Sequence, residues 1–437
     1  MPMPPVSAAT IAQVSDEIRR KQRSCLDAVA ACLARIDQFE PEIRAWVSVD
    51  REGAQAQARQ LDQELALGQY RGPLHGIPIG IKDLVDVAGW PTAAGAPWLK
   101  DAVAHMDAPL VVRLREAGAV ILGKTVTTQF ACFDPPVTRN PWDHSRTPGG
   151  SSSGSAAAVA TGMCLGAIGS QTGGSITRPA AFCGVAGCKP TFQRVPLTGV
   201  YPLSKSLDHG GPIAQTVGDL RLLLEALIGS RLVSGKRGSD LSHPVRLGRL
   251  DGMFRDRAEP GAWQIYEAAL TRLAQAGAEI CEIALPATFD EVLASHRTIM
   301  TREIADVHRP FYRQHQHEYL PAVRGVIEAG LQVSDDAYAS ARQHQRGLLP
   351  AVVAAMQRVD ALICPAAIGP APSPETTGDP CFNAPWSYTG QPTVSFPFDL
   401  SAEGLPLAVQ LVGRPDDEGA LFDTAAWCER ILRTGAQ

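Results

Sequence analysis

Two stretches hold small and hydroxyl-bearing residues at spacings that could do chemistry: TPGGSSSGSAAAVATG (147–162) and GSQTGGSITRPAAFCGVAGCKPT (169–191). The first reads as a Gly/Ser loop running into an Ala-rich helix, where small residues allow close backbone approach and unusual φ/ψ values. In the second, Gly173 and Gly174 precede Ser175, so several backbone N–H groups can converge on one point, as an oxyanion hole requires. A serine hydroxyl is a weak nucleophile and needs a base. The upstream segment GIPIGIKD (76–83) offers one, Lys82. It ends a short apolar strand in which Ile77, Ile79 and Ile81 share one face, while Pro78 and Gly80 share the lysine's own face and leave room for polar partners. A lysine acts as a base only when neutral, so its pKa of about 10.4 has to be lowered by burial. Taken singly these features are weak. Gly/Ser runs are more often tight turns with solvated serines, and a strand-end lysine is more often a surface residue.

Two shorter motif matches fail on context. GAVILGKT (118–125) fits the P-loop pattern, but a phosphate loop must follow a strand and curl its N–H groups inward. Here the variable positions Ala119, Val120, Ile121 and Leu122 are the strand. GSSSG (150–154) fits the nucleophile elbow with Ser152 at its centre. That reading needs a strand before it and Asp and His partners after it, whereas HSRTPG reads as a turn and no later histidine stands in a telling context.

The elements that must position these residues read as α/β. Residues 8–67 read as helices, with Leu26, Val29, Ala30, Leu33 and Ile36 at helical spacing. A strand is expected over 76–82, an amphipathic helix over 109–117 closed by Gly118, and a buried strand over 119–123. Further strands are expected at 361–366 and within PTVSFPF and PLAVQLVG, with a Pro-rich loop at 370–380 and a terminal helix in DEGALFDTAAWCERIL. Residues 228–260 read as an exposed crossing or insertion. No internal repeat or long linker divides the 437 residues.

Composition limits the function classes. A net charge of −5 without a run of Lys and Arg argues against nucleic acid and anionic membrane as partners. No run of about 18 apolar residues suits a transmembrane helix, and the start MPMPPVSAATIAQ lacks a secretory pattern, so a cytoplasmic location is expected. Ten cysteines without a CxxC pair read as buried free thiols, including Cys183 and Cys188. The histidines show no metal-ligand spacing.

Over most of its length the chain resembles the amidase signature family, hydrolases with a Ser–Ser–Lys triad. RGPLHGIPIGIKDLVDVAGWPTAAG looks like the family's lysine segment, VVRLREAGAVILGKT like the helix and strand that follow, and GQPTVSFPF and GLPLAVQLVG like its C-terminal strands. The resemblance implies one domain over 1–437, with a helical segment at 8–67 and a signature core at 72–225, built on a large twisted mixed β-sheet covered by helices on both faces. It implies Ser175 as nucleophile, Ser151 as a bridging serine preceded by a cis bond, and Lys82 as base. The N–H groups of Thr172, Gly173, Gly174 and Ser175 match the family's oxyanion hole. No cofactor or metal is implied. The substrate would be a small amide and the assembly a homodimer.

Three positions depart from the usual family pattern. Gln171 stands where most members carry Asp, Ser153 replaces a glycine, and the arginine falls three residues after the nucleophile, at Arg178, rather than two. These features resemble a malonamidase-like branch, whose arginine engages a substrate carboxylate; a guanidinium suits that task in bidentate fashion. The alternatives are the amidase subunit of a glutamine-dependent amidotransferase acting on acyl-tRNA, and a non-catalytic binding protein. Pro135, Trp142, Tyr201, the 296–320 helix and the 382–388 loop are candidates to line the pocket.

Overall fold

Lys82 ends a strand in the interior of an eleven-stranded mixed sheet. The computed structural model describes residues 9–233 and 244–433. In chain order the strands are β1 Trp46–Val49, β2 Pro78–Lys82, β3 Val120–Thr125, β4 Gly166–Gln171, β5 Ala186–Lys189, β6 His209–Ala214, β7 Arg246–Arg249, β8 Glu279–Glu282, β9 Ala361–Pro365, β10 Thr393–Leu400 and β11 Pro406–Val412. Across the sheet they run β1-β3-β2-β4-β6-β5-β10-β11-β9-β7-β8. The β3-β2-β4 and β9-β7-β8 neighbours are parallel and the remaining pairs antiparallel.

Consecutive residues of a strand point to opposite faces, and every residue of β2, β3, β4, β5, β6, β9 and β11 is buried. Both faces of the central sheet are therefore covered, which is why these strands read as unbroken apolar or small-residue runs rather than alternations. A continuous buried apolar cluster takes in side chains from Ile11 to Leu432. Among the described residues no helix is long and apolar enough to cross a membrane.

The N-terminal helices are Ile11–Arg19, Cys25–Ile43 and Arg51–Ala66. Thr10 and Ser24 each close a capping box at the first two. The helical reading of 8–67 misses β1, which pairs antiparallel with β3 through Trp46 and Thr125; four residues at a sheet edge are too few to show alternation. Within 228–260, residues 234–243 lie outside those described. The part that follows is not an exposed insertion: Arg246–Arg249 is β7, between β9 and β8, and Leu247, Leu250 and Phe254 are fully buried. Its arginines masked this. They reach outward to acidic partners, Arg246 to Glu279 and Arg249 to Glu267.

Candidate active site

Both faces of β2 being covered, its terminal residue Lys82 has no exposed surface. Its Nζ lies 2.7 Å from Ser151 Oγ and 2.9 Å from Ser170 Oγ. Burial drives the amine's pKa well below its ordinary value, and the negative charge of the buried Asp208 works weakly in the other direction. Among the described residues no carboxylate lies within ion-pair distance of Lys82. A buried ammonium without a counter-charge is expensive, so the neutral amine is favoured.

The bond between Gly150 and Ser151 is cis. Next to it, Ser152 fastens the turn: its N–H donates to the Ser175 carbonyl (3.2 Å), and its hydroxyl both donates to Ser170 O (3.2 Å) and accepts from Ser170 N–H (3.3 Å). Ser152 is therefore consumed in backbone contacts, and the nucleophile-elbow reading has no free hydroxyl to use. Glycines make this closeness feasible. A Cβ at Gly169 would lie 2.7 Å from Ser152 Oγ, and one at Gly154, in the helix Ser153–Ala160, would lie 2.2 Å from Ala45 O.

Ser175 borders a cavity of about 390 Å³ together with Thr172, Gly173, Gly174 and Arg178. Among the described residues its hydroxyl makes no hydrogen bond, so Lys82 and Ser151 are joined through their side chains while Ser175 meets the 151–152 turn through its backbone. Such contacts commonly tighten only with substrate bound. The carbonyls beside Ser175 are turned away and held: Thr172 O accepts from His296 Nε2 (2.9 Å), Gly173 O from Ser387 Oγ (2.9 Å) and Gly174 O from Arg178 N–H (2.9 Å). The N–H groups of Gly173, Gly174 and Ser175 find no acceptor among the described residues.

Gln171 has a defined task. Its Oε1 accepts from the N–H groups of Ile176 and Thr177 and from Thr177 Oγ1 at 2.9, 3.0 and 3.1 Å, while its Nε2 donates to Ser387 Oγ. It thereby satisfies the exposed donors at the start of the helix Thr177–Cys183. Arg178 lies on that helix and is buried. Its Nη2 donates to Gly150 O (2.8 Å) and Thr377 Oγ1 (3.3 Å), but Nε and Nη1 are buried without a partner. Burial brings its pKa down to about 10.

Ser170 and Asp208 are site residues that sequence reasoning missed, and His296 was expected only as part of the 296–320 helix. Asp208 is buried with its pKa raised to about 6 by desolvation, and it takes a hydrogen bond from Thr172 Oγ1 at 2.5 Å. Burial also lowers the pKa of His296, whose neutral ring donates to Thr172. Each is a single residue without a pattern around it. Of the expected pocket residues, His296 and Met300 of the helix Val292–His315 do line the cavity, as does Ala384, which opens the short helix Ala384–Thr389 where a loop was expected. Tyr201 lines a neighbouring cavity of about 340 Å³ that shares Thr172 and Leu203. Pro135 and Trp142 line neither; Trp142 instead donates to Cys183 O. All ten cysteines are free, Cys183 and Cys188 included. Among the described residues no group of three or more His, Cys, Asp or Glu side chains is placed to hold a metal ion.

Comparison with known proteins bears on the whole chain. The sequence profile of the family named Amidase matches residues 27–422. An amidase of Pseudomonas putida is 36% identical, covering 96% of this chain and 95% of its own. A glutamyl-tRNA(Gln) amidotransferase subunit of Carboxydothermus hydrogenoformans is 33% identical, covering 94% and 95%. A crystal structure of an amidase superposes with a TM-score of 0.88 at 32% identity, over 97% of this chain and all of the other. With a buried lysine against a serine in a Gly/Ser turn, and a family match over nearly its full length, the chain belongs to the amidase family, enzymes that hydrolyse amide C–N bonds.

Proposed function

We propose that this amidase hydrolyses a short amide carrying a carboxylate on its acyl part, of the malonamate type, as a member of a malonamidase-like branch. In this reading Ser175 Oγ bonds to the amide carbonyl carbon while its proton passes to Ser151, whose own proton moves to the neutral Lys82 amine. The N–H groups of Thr172, Gly173, Gly174 and Ser175 receive the negative oxygen. The proton returns through Ser151 to the departing nitrogen, the C–N bond breaks and ammonia or an amine leaves. Water, deprotonated by the same relay, then hydrolyses the Ser175 ester.

The observation that carries the substrate reading is Arg178, buried beside the same cavity as Ser175 with two guanidinium nitrogens unpartnered. Unpaired donors on a buried cation are costly, and a carboxylate in the cavity would give the charge a partner and reduce that cost. Arg178→Ala is expected to lower kcat/KM for malonamate by about 30-fold or more, the effect of removing one partner of a buried charge pair, with a far smaller loss on a neutral amide of equal size. An equal loss on both substrates would refute the carboxylate.

The reading takes the chain as a single domain working as a cytoplasmic homodimer, on a small molecule rather than nucleic acid or membrane. Ten free cysteines and a net charge of −5 are consistent with it. A second reading, the amidase subunit of a glutamine-dependent amidotransferase, rests on the 33% identity to a protein of that kind. Glutaminase activity that appears only with a co-purified partner would favour it.

A further inference from the structure

The mouth of the Ser175 cavity carries more positive charge than an acyl-side carboxylate needs. Three guanidiniums line the cavity, the buried one of Arg178 and the exposed ones of Arg257 and Arg297, against a single carboxylate, Asp379. Asp379 acts on the buried Arg178 through its charge and accepts the N–H of Cys381. Arg257 and Arg297 are exposed, and neither is in an ion pair among the described residues; Arg257 hydrogen-bonds the Cys381 thiol. Most other arginines beside a carboxylate in this chain do form such pairs, as Arg71, Arg115, Arg249 and Arg302 show. A cationic opening on a chain of net charge −5 focuses anions toward the site.

We propose that this mouth receives a second carboxylate, on the amine half of the substrate, so that the substrate class is an amino acid whose nitrogen carries a short dicarboxylic acyl group. The assignment rests on the reading of Arg178 above. During turnover the acyl half stays on Ser175 while the amine half leaves. The inner arginine therefore serves the acyl carboxylate, and the open side with Arg257 and Arg297 serves the departing amino acid. For N-malonylglycine the reaction consumes one water, breaks the amide C–N bond, and yields malonate and glycine.

The test compares kcat/KM for N-malonylglycine with that for N-malonylmethylamine, which has the same scissile bond without the second carboxylate. The wild type should prefer the former. Arg257→Ala and Arg297→Ala should each reduce the preference about twofold to fivefold, as expected for exposed charge pairs. Raising KCl from about 0.02 to about 0.2 M should erode it as well. A double variant that retains the wild-type ratio, or a ratio indifferent to salt, would overturn the second carboxylate. Failure of the underlying reading is separate, since it would appear as an Arg178→Ala effect no larger on malonamate than on a neutral amide.

Discussion

In the proposed mechanism Lys82 is the base because of what surrounds it, and the balance can be tested. Burial pushes its pKa down and Asp208 pulls it up. The reactive form is the neutral amine, so activity is present above the lysine's folded pKa and lost as pH falls through it. Asp208→Asn removes the opposing charge; its single oxygen can still accept the N–H groups of Leu203 and Ser204, while the Thr172 hydroxyl must turn to accept from the new amide N–H. The acid limb of kcat/KM is then expected to move to lower pH; a limb that stays or moves upward would contradict this. Serine and lysine were legible in the sequence because the Gly/Ser turns and the apolar run before the lysine form a pattern. Asp208 and Ser170 were not, since the contacts that bring them to the site are made across the fold, and His296 was legible only as part of its helix. Gln171 and Thr177 are neutral and bond to each other, and Arg178, the next residue, lies beside the cavity together with Arg257 and Arg297.

The strands beside the site explain why the phosphate-loop pattern misleads. Val120–Thr125 is β3, parallel to β2 in the interior of the sheet, and its Lys124 ammonium sits 3.0 Å from Asp83, both side chains buried. Lys124 also donates to Pro91 O and Thr92 Oγ1. The lysine that a nucleotide would need thus anchors the chain just after Lys82. Asp83→Asn would leave a buried ammonium without its counter-charge, a loss of about 3–5 kcal/mol by the usual cost of breaking such a pair. Denaturant unfolding should show it as a lower midpoint, and an unchanged midpoint would mean that the pair contributes little. Apolar runs such as AVIL announced themselves as strands because sheet burial on two sides demands them. The short strands β1 and β7 did not: four residues with polar flanks carry too little pattern, and only pairing with β3, β8 and β9 fixes them.

At the scale of the whole molecule, residues distant in sequence meet because parallel β2 and β4 stand side by side. Lys82 ends one, and the 171–175 loop leaves the other. The helix Val292–His315 and the 379–384 segment then close the cavity from much later in the chain, an arrangement no local periodicity announces. The mixed α/β class was readable from the alternation of elements, whereas the cavity wall depended on long-range packing. The most direct test of the account is covalent labelling of the nucleophile. Wild-type protein treated with a fluorophosphonate should gain one adduct, mapped by peptide mass to Ser175, and Ser175→Ala should lose both the adduct and amide hydrolysis. An adduct on another residue, or a Ser175→Ala variant that hydrolyses amides at the wild-type rate, would contradict it.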